Sequence, residues 1–423
     1  MAIAVPQLQS PESVVADPSS GLSNSDRGFE HSPHRHDGDS LKIAMMGTRG
    51  IPARYGGFET AVEEIGKRLV QWGHQVTVYC RNLGSLNGPP ESEHLGMRLV
   101  TLPFLPVKQL ETLSHTYLSI RHQVRSTERD DVVLIFNAAN GFLLPFLRHA
   151  GIPVAVNTDG LEWMRGKWGP AGRRYYRFAE GACVRYANQL ISDSRGIQDY
   201  YIGRYGRRPE FIPYGAKILE DRSSSRLDDL GLEPFGYHLV VARLEPENNV
   251  DMIVEGYVQS PSRLPLVIVG GNAYDPTIEQ RLRRVADADP RVMPLGPVWD
   301  QQVLDQLYLN SASYIHGHSV GGTNPSLLRA MGAGTRVLAF DSRFNREVLV
   351  ELGAYFASPE HLGGLLKEVE TPDEGGPTVA LKRAAAMRNR IAVAYNWDAV
   401  AEGYLDVCRK LAPAKANALV AVH

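Results

Sequence analysis

Lys42-Ile-Ala-Met-Met46-Gly47-Thr-Arg-Gly50-Ile-Pro-Ala-Arg-Tyr-Gly56-Gly57-Phe58 is the stretch whose reading decides the architecture. A short apolar run, Lys42–Met46, leads into a glycine-rich turn. Phe58, Val62, Ile65, Leu69 and Trp72 then recur at the spacing of a helix with one buried face. Gly73 stops that helix and Gln75–Cys80 reads as the next strand. Strand, glycine loop, helix, strand is the opening of an open parallel α/β sheet. Ligands of such sheets sit at the carboxyl ends of the strands, where this loop lies.

Working outward, Leu99–Leu102, Val132–Phe136, Pro153–Asn157 and Leu190–Ser192 continue the strand series, with helical stretches between them. The polar segment Leu219–Asp229, with Ser223-Ser-Ser225 at its centre, breaks the pattern. A second series follows: His238–Ala242, Leu266–Val269, Ser313–His316 and Val337–Phe340. These strands are continuous apolar runs, as expected where helices cover both faces of a sheet. Trp397, Val400, Tyr404, Val407 and Leu411 mark one closing amphipathic helix before Pro413. The expected organisation is a tail over residues 1–40, a Rossmann-like domain over 41–218 and a linker over 219–235. A second Rossmann-like domain over 236–395 and a terminal helix over 396–412 complete it.

The chain has 423 residues, 45 basic and 47 acidic side chains, 43% hydrophobic and 22% charged residues. That allows two or three domains, each with its own core. It excludes a disordered chain, a collagen and a disulfide-stapled mini-protein. A net charge of −2 speaks against a dedicated nucleic-acid binder, which carries a basic excess. Cys80, Cys183 and Cys408 stand apart, with no CxxC pair and no clustered histidines, and read as packing cysteines of a reducing compartment. No apolar run approaches the ~20 residues that span a bilayer. The opening Met1-Ala-Ile-Ala-Val5 has no basic region and meets Pro6 at once, so no signal peptide is expected, and the expected place is the cytoplasm. Residues 1–40, rich in Ser, Pro, Asp and His, are expected to stay disordered. His31, His34 and His36, beside Asp37 and Asp39, read as part of that solvated tail rather than as a metal site.

The second half carries the more specific chemistry. His316-Gly-His318-Ser-Val-Gly321-Gly322-Thr-Asn324-Pro325-Ser326-Leu-Leu-Arg329 follows a strand. Asn324 suits a helix N-cap and Pro325 the first helical position. A helix start of this kind offers backbone N–H groups to an anion, with Gly321 and Gly322 allowing close approach, and a diphosphate is the natural guest. An ordinary capped helix is the plainer reading. The first glycine loop alone fits the dinucleotide fingerprint only loosely, because Gly47 and Gly50 lack the GxGxxG spacing.

Four motifs together carry a family resemblance: Gly47–Thr60, Asn157-Thr-Asp-Gly-Leu-Glu-Trp163, Val241-Ala-Arg-Leu-Glu-Pro-Glu-Asn-Asn249 and Gly317-His-Ser-Val-Gly-Gly-Thr-Asn-Pro-Ser326. Over residues 41–412 the chain resembles glycosyltransferase family 4, and within it the bacterial rhamnosyltransferase-like branch of polysaccharide synthesis. The resemblance implies a GT-B fold, two Rossmann-like domains facing across a cleft with the C-terminal helix crossing back to the first. It also implies a retaining, metal-independent transfer from a nucleoside-diphosphate sugar, rhamnose being the sugar the branch suggests. The acceptor implied is a polysaccharide or its lipid-linked precursor.

Residue by residue, the resemblance makes Arg243 the grip on the donor diphosphate, a task suited to a planar, permanently charged fork. Asn248 stands where the broader family has a lysine. Gly56 and Gly57 would close on the diphosphate from one domain, and Gly321, Gly322, Thr323, Asn324, Pro325 and Ser326 from the other. Gly271 and Val298 match segments that frame the nucleoside, and His318 is a candidate donor contact. His115 reads as a packing residue. Two family glutamates, seven residues apart, are replaced by Gly321 and Arg329. Arg329 is expected to face the cleft and add charge to the phosphate site. The competing reading is a non-catalytic GT-B protein that binds nucleotide or a partner and has lost transfer. Asp159 and Glu162, past the end of a first-domain strand, are candidate catalytic carboxylates that orient the acceptor or stabilise developing charge. An N-cap or salt-bridge role is the alternative for Glu162. Finally, Arg165, Lys167 and Trp168, then Arg173, Arg174 and Arg177, interleave cations with aromatics. That pattern suits an anionic membrane surface or a lipid-diphosphate acceptor. A solvated helix face is the plain alternative, and the overall charge disfavours nucleic acid.

Overall fold

The computed structural model describes residues 40–53, 56–82, 91–107, 110–158, 160–166, 168–221, 223–272, 277–371 and 376–412. The expected tail, Asp159 and Lys167 lie outside the described residues, Ser40 of the tail excepted.

The first half builds an eight-stranded sheet. In chain order it runs β1 (Lys42–Met46), α1 (Gly57–Gln71), β2 (Gln75–Arg81), β3 (Glu93–His94), β4 (Met97–Leu102) and α2 (Glu111–Arg125). There follow β5 (Val132–Phe136), a 3-10 turn (Ala138–Leu143), α3 (Leu144–His149), β6 (Val154–Asn157) and a second 3-10 turn (Glu162–Met164). Then come α4 (Pro170–Tyr186), β7 (Gln189–Ser192), α5 (Arg195–Tyr205) and β8 (Glu210–Phe211). The strand order is β3-β4-β2-β1-β5-β6-β7-β8, parallel except for the short β3–β4 pair, and it reverses direction between β1 and β5. Side chains of β1 alternate between two cores. Ile43 and Met45 join Val76, Val78 and Ile65 of α1, whereas Ala44 and Met46 join Val133, Ile135, Ile120, Leu144, Cys183 and Ile197. Helices α2 to α5 therefore form one continuous layer over the second face.

The second half is wholly parallel. It comprises β9 (His238–Val241), a 3-10 turn (Pro246–Asn248), α6 (Val250–Gln259), β10 (Leu266–Val269), α7 (Thr277–Ala288), β11 (Val292–Gly296) and α8 (Gln301–Leu309). It continues with β12 (Ser313–His316), α9 (Pro325–Ala333), β13 (Val337–Phe340), α10 (Arg343–Leu349), β14 (Ala354–Phe356), α11 (Pro359–Glu370) and α12 (Gly376–Ala394). Its order, β11-β10-β9-β12-β13-β14, is that of a dinucleotide-binding sheet, and the switch point falls between β9 and β12.

The last helix, α13 (Trp397–Leu411), has the bounds its periodicity predicts, and Asn396 caps it by accepting from Ala399 N. It crosses back onto the first sheet beside α1. There Tyr404 stacks on Phe136 with ring centroids 6.0 Å apart, and Asn157 Nδ2 donates to Tyr404 Oη at 2.7 Å. The halves also meet at α5, whose first N–H groups, on Arg195 and Gly196, donate to the Glu347 carboxylate of α10 at 2.7 and 3.1 Å.

Candidate functional site

The first glycine loop is shaped by backbone. Gly47 has φ +97°, and a side chain there would collide with Phe136 O of β5. Two glutamates of α1 hold the loop down: Arg49 N donates to Glu59 at 3.0 Å and Ala53 N to Glu63 at 2.9 Å. Gly56 is the extended N-cap of α1. A Cβ on Gly57 would come within 2.9 Å of Pro325, so this loop touches the start of α9 in the other half, as expected of two walls of one cleft.

Across the cleft, Arg243 lies just beyond β9 with an exposed side chain. Asn248 does not take over the role of the absent lysine: it is buried, and its Nδ2 donates to Arg243 O at 2.7 Å, fixing the loop that carries Arg243. Gly271 packs against Glu279 and Pro297, and Val298 leans on the core, so both border the strand ends. The rings of His316 and His318 stack, centroids 4.4 Å apart. Burial pushes His316 down to about 3. Burial, then the neighbouring His316, Arg243 and Arg165, hold His318 neutral well below the usual histidine range. His316 Nε2 and His318 Nδ1 have no hydrogen-bond partner among the described residues. His115, by contrast, is wholly buried and pushed by burial to about 4, a packing histidine.

The loop from β12 to α9 explains its glycines. Gly321 has φ +147°, a conformation that residues with side chains rarely adopt, so the glutamate usual at this position in the family it resembles would be strained here. A Cβ on Gly322 would meet the Asp193 carboxylate at 1.8 Å. Thr323 Oγ1 donates to Asp193 O, so this residue latches onto the first half. Asn324 caps α9 by accepting from Ser326 N at 3.0 Å, and Pro325 occupies the first turn. Ser326 is wired to Tyr314, which donates to its Oγ at 2.9 Å.

Three expected roles change. Arg329 is not a free cation for phosphate: its Nε and Nη2 donate to Asp305 Oδ1 of α8 at 2.8 and 2.5 Å, and its Nη1 to Gln301 Oε1 at 2.9 Å. Glu162 is buried with both oxygens engaged, Oε1 by Arg165 Nε at 2.5 Å and Oε2 by Trp168 Nε1 at 3.0 Å. It acts as a brace, the alternative that the sequence allowed. Arg165 and Trp168 consequently turn inward and leave the expected membrane face. Arg165 reaches toward Glu247 of the second half at 3.9 Å, and Trp168 packs on Tyr176. Arg173, Arg174 and Arg177 remain exposed on α4, Arg177 lying over the Trp163 ring at 4.4 Å.

Sequence reasoning passed over Asp193, Glu247 and Asp305. Asp193 follows β7 as Asp159 follows β6, so the same strand-end logic points to it. Glu247 is buried, and neither carboxylate oxygen has a hydrogen-bond partner among the described residues. Asp305 had no sequence signal, because its significance comes only from its pairing with Arg329.

Two Rossmann-like domains with facing strand ends and a terminal helix returning to the first define the GT-B fold. Residues 41–217 match a domain of unknown function, DUF1972. No curated protein sequence matches the chain. Among solved structures, sucrose-phosphate synthase from Thermosynechococcus elongatus is similar at TM-score 0.73 and 17% identity, over 87% of this chain and 98% of that one. Anabaena Alr3699/HepE, solved in complex with UDP, is similar at TM-score 0.69 and 15% identity, over 88% of this chain and all (100%) of that one. A glycosyltransferase from Rickettsia africae gives TM-score 0.61 at 12% identity, over 88% and 99% of the two chains. At these identities the likeness is one of fold.

Proposed function

We propose that the chain is a retaining glycosyltransferase. It moves a sugar from a nucleoside-diphosphate donor to a saccharide or lipid-linked saccharide, with rhamnose the sugar its sequence suggests. One observation carries the reading: the exposed Arg243, the N-terminus of α9 and the glycine loop of α1 converge where the carboxyl ends of both sheets face each other. The UDP bound in the similar HepE fold supports it.

In this reading the Arg243 fork and the α9 N-terminus meet the diphosphate and stabilise the charge that develops as it leaves. Protein charge does this work, so no metal is required and a chelator should leave the rate unchanged. Neutral His318 contacts the donor, Gly271 and Val298 flank the nucleoside, and Asp159 remains the candidate carboxylate for orienting the acceptor. A second reading, nucleotide binding without transfer, is favoured by the tied state of Glu162 and Arg329.

Calorimetry with UDP, other nucleoside diphosphates and uridine, followed by donor turnover, tests both readings. Arg243→Ala should weaken diphosphate binding by about 1.5–3 kcal/mol, the range for a charged hydrogen bond, and spare the nucleoside. Equal losses for both would refute the grip. Diphosphate binding with no turnover of any nucleotide sugar selects the second reading.

A further inference from the structure

We propose that the outer surface of α2, α3 and α4 is a docking face for an anionic phospholipid bilayer. These helices lie side by side over one face of the first sheet. Large aromatic side chains stand out of that layer: Tyr117 is 44% exposed, Phe142 36%, Phe146 53% and Phe178 63%. Four of the rings on this layer stand in two pairs. Tyr117 meets Phe146 edge-on at 6.1 Å, and Phe142 meets Tyr175 of α4 at 6.3 Å. On α4, Arg174, Phe178 and Arg185 fall on one side of the helix by their spacing. Arg148 Nη1 of α3 donates to Arg185 O at 3.4 Å, which joins the two helices at that edge.

Charge identifies the occupant. The three helices carry seven arginines: Arg121 and Arg125 on α2, Arg148 on α3, and Arg173, Arg174, Arg177 and Arg185 on α4. Their carboxylates are two, and of the seven arginines only Arg177 lies close enough to one of them, Glu180, to feel its charge. Glu111 pairs with Arg81 at 2.9 Å, and Glu180 is buried beneath Tyr200 and Tyr205. None of the seven arginines forms an ion pair among the described residues. Exposed aromatics interspersed with arginines that make no ion pair fit a phosphate-bearing, apolar-backed surface: the guanidinium forks take lipid phosphates, and the phenylalanines enter the acyl boundary. A protein partner of acidic character would satisfy the arginines and leave the phenylalanines unmatched. The face differs from the one expected from sequence, since Arg165 and Trp168 are turned away from it. The proposal deepens the lipid-linked acceptor of the proposed reaction and rests on that reading for its purpose, while its test reads membrane contact alone.

The full-length protein is sedimented with large unilamellar vesicles of phosphatidylglycerol or phosphatidylcholine at low salt. Wild type should partition into the first and not the second, and lose that partition at about 0.5 M salt as screening sets in. A surface arginine contributes about 1 kcal/mol, roughly fivefold in partition. R121Q/R148Q/R174Q/R185Q should therefore partition roughly a hundredfold or more less well. F142S/F146S/F178S should lose at least about tenfold through lost apolar burial. R281Q/R283Q/R284Q, neutralising three arginines on α7, should bind as wild type. Circular dichroism of each variant confirms folding. The proposal is overturned if wild type ignores anionic vesicles, or if it binds phosphatidylcholine equally. It is also overturned if the quadruple variant or the phenylalanine triple still binds anionic vesicles as wild type, or if the α7 variant loses as much. Binding of single-stranded RNA in place of vesicles would assign the arginines to nucleic acid and overturn it as well.

Discussion

Replacing Arg329 by glutamate restores the residue type usual at this position in the family it resembles, and it should damage the protein. In the wild type the guanidinium makes two bonds to Asp305 Oδ1 and one each to the side chain and backbone oxygen of Gln301, at 2.5 to 3.1 Å. The side chains of Arg329 and Asp305 are 22% and 34% exposed. Solvent therefore screens the pair, placing it at about 1–2 kcal/mol, between exposed pairs and buried charged hydrogen bonds. A glutamate in its place loses this and sets two carboxylates within a few ångströms, which adds about 1 kcal/mol of repulsion. Arg329→Glu should then cost about 3 kcal/mol and Arg329→Met about 2 kcal/mol in urea unfolding followed by two probes. The swap R329E/D305R should recover all but about 1 kcal/mol. UDP affinity of Arg329→Met should change less than about threefold, because Asp305 already matches the charge. Two results would refute this account: a swap no more stable than R329E alone, or a tenfold loss of UDP affinity in R329M, which would place the guanidinium on the diphosphate.

Gly322→Ala puts a methyl group 1.8 Å from the Asp193 carboxylate, so it should cost about 1–3 kcal/mol of overpacking and be rescued when Asp193→Ala accompanies it. Thermal unfolding of the two variants decides, and a wild-type midpoint for G322A would disprove the contact. Glu180 is pushed up to about 7 by burial, with Tyr200 and Tyr205 hydrogen bonds opposing. Its folded value lies above its unfolded value of about 4.5, so its stabilising share is complete below about pH 4.5 and is lost as pH rises through 7. Glu180→Gln should therefore be more stable than wild type at pH 8, by at most about 3 kcal/mol, and show no such advantage at pH 4.5. Asp130, pushed to about 6 by burial, slopes the same way but is present in both proteins and cancels from the difference.

The strand series was legible because parallel strands buried on both faces are apolar throughout, so Val132–Phe136, Leu266–Val269 and Val337–Phe340 stand out with their observed bounds. Glu93–His94, Glu210–Phe211 and Ala354–Phe356 escaped because two or three residues at a sheet edge carry no period. Asn324, Pro325 and the closing helix were readable from local chemistry alone: a cap, a first-turn proline, an amphipathic face. What could not be read were partners distant in sequence. Nothing around Arg329 announces Asp305, 24 residues earlier, as the acceptor of its charge. Likewise, Glu162 looks like a strand-end carboxylate until Trp168 and Arg165 are seen to occupy both its oxygens.

These distant contacts also set the energetics of the cleft. Gly57 lies against the Pro325 ring, Gly160 against Gly321, and Gly322 against the Asp193 carboxylate, so on one side of each of these contacts between the halves stands a glycine, at the rim of the proposed diphosphate site. A guest seated there has to part them, and its apparent affinity is the intrinsic one multiplied by the fraction of molecules already parted. Glycine keeps that cost small. A contact with a glycine on one side buries little apolar area, at about 25 cal/mol per Å², whereas each charged bond from a diphosphate contributes about 1.5–3 kcal/mol. Firmer contacts, Thr323 on Asp193, Glu347 on the α5 N-terminus and α13 on the first sheet, gather on the Asp193 side and hold the halves together there. Larger apolar residues at positions 57 and 160 would press on Pro325 and Gly321 and make the rim harder to part. In the proposed reading, the glycines that look like turn punctuation in the sequence therefore serve to keep the cost of admitting a diphosphate between the halves small.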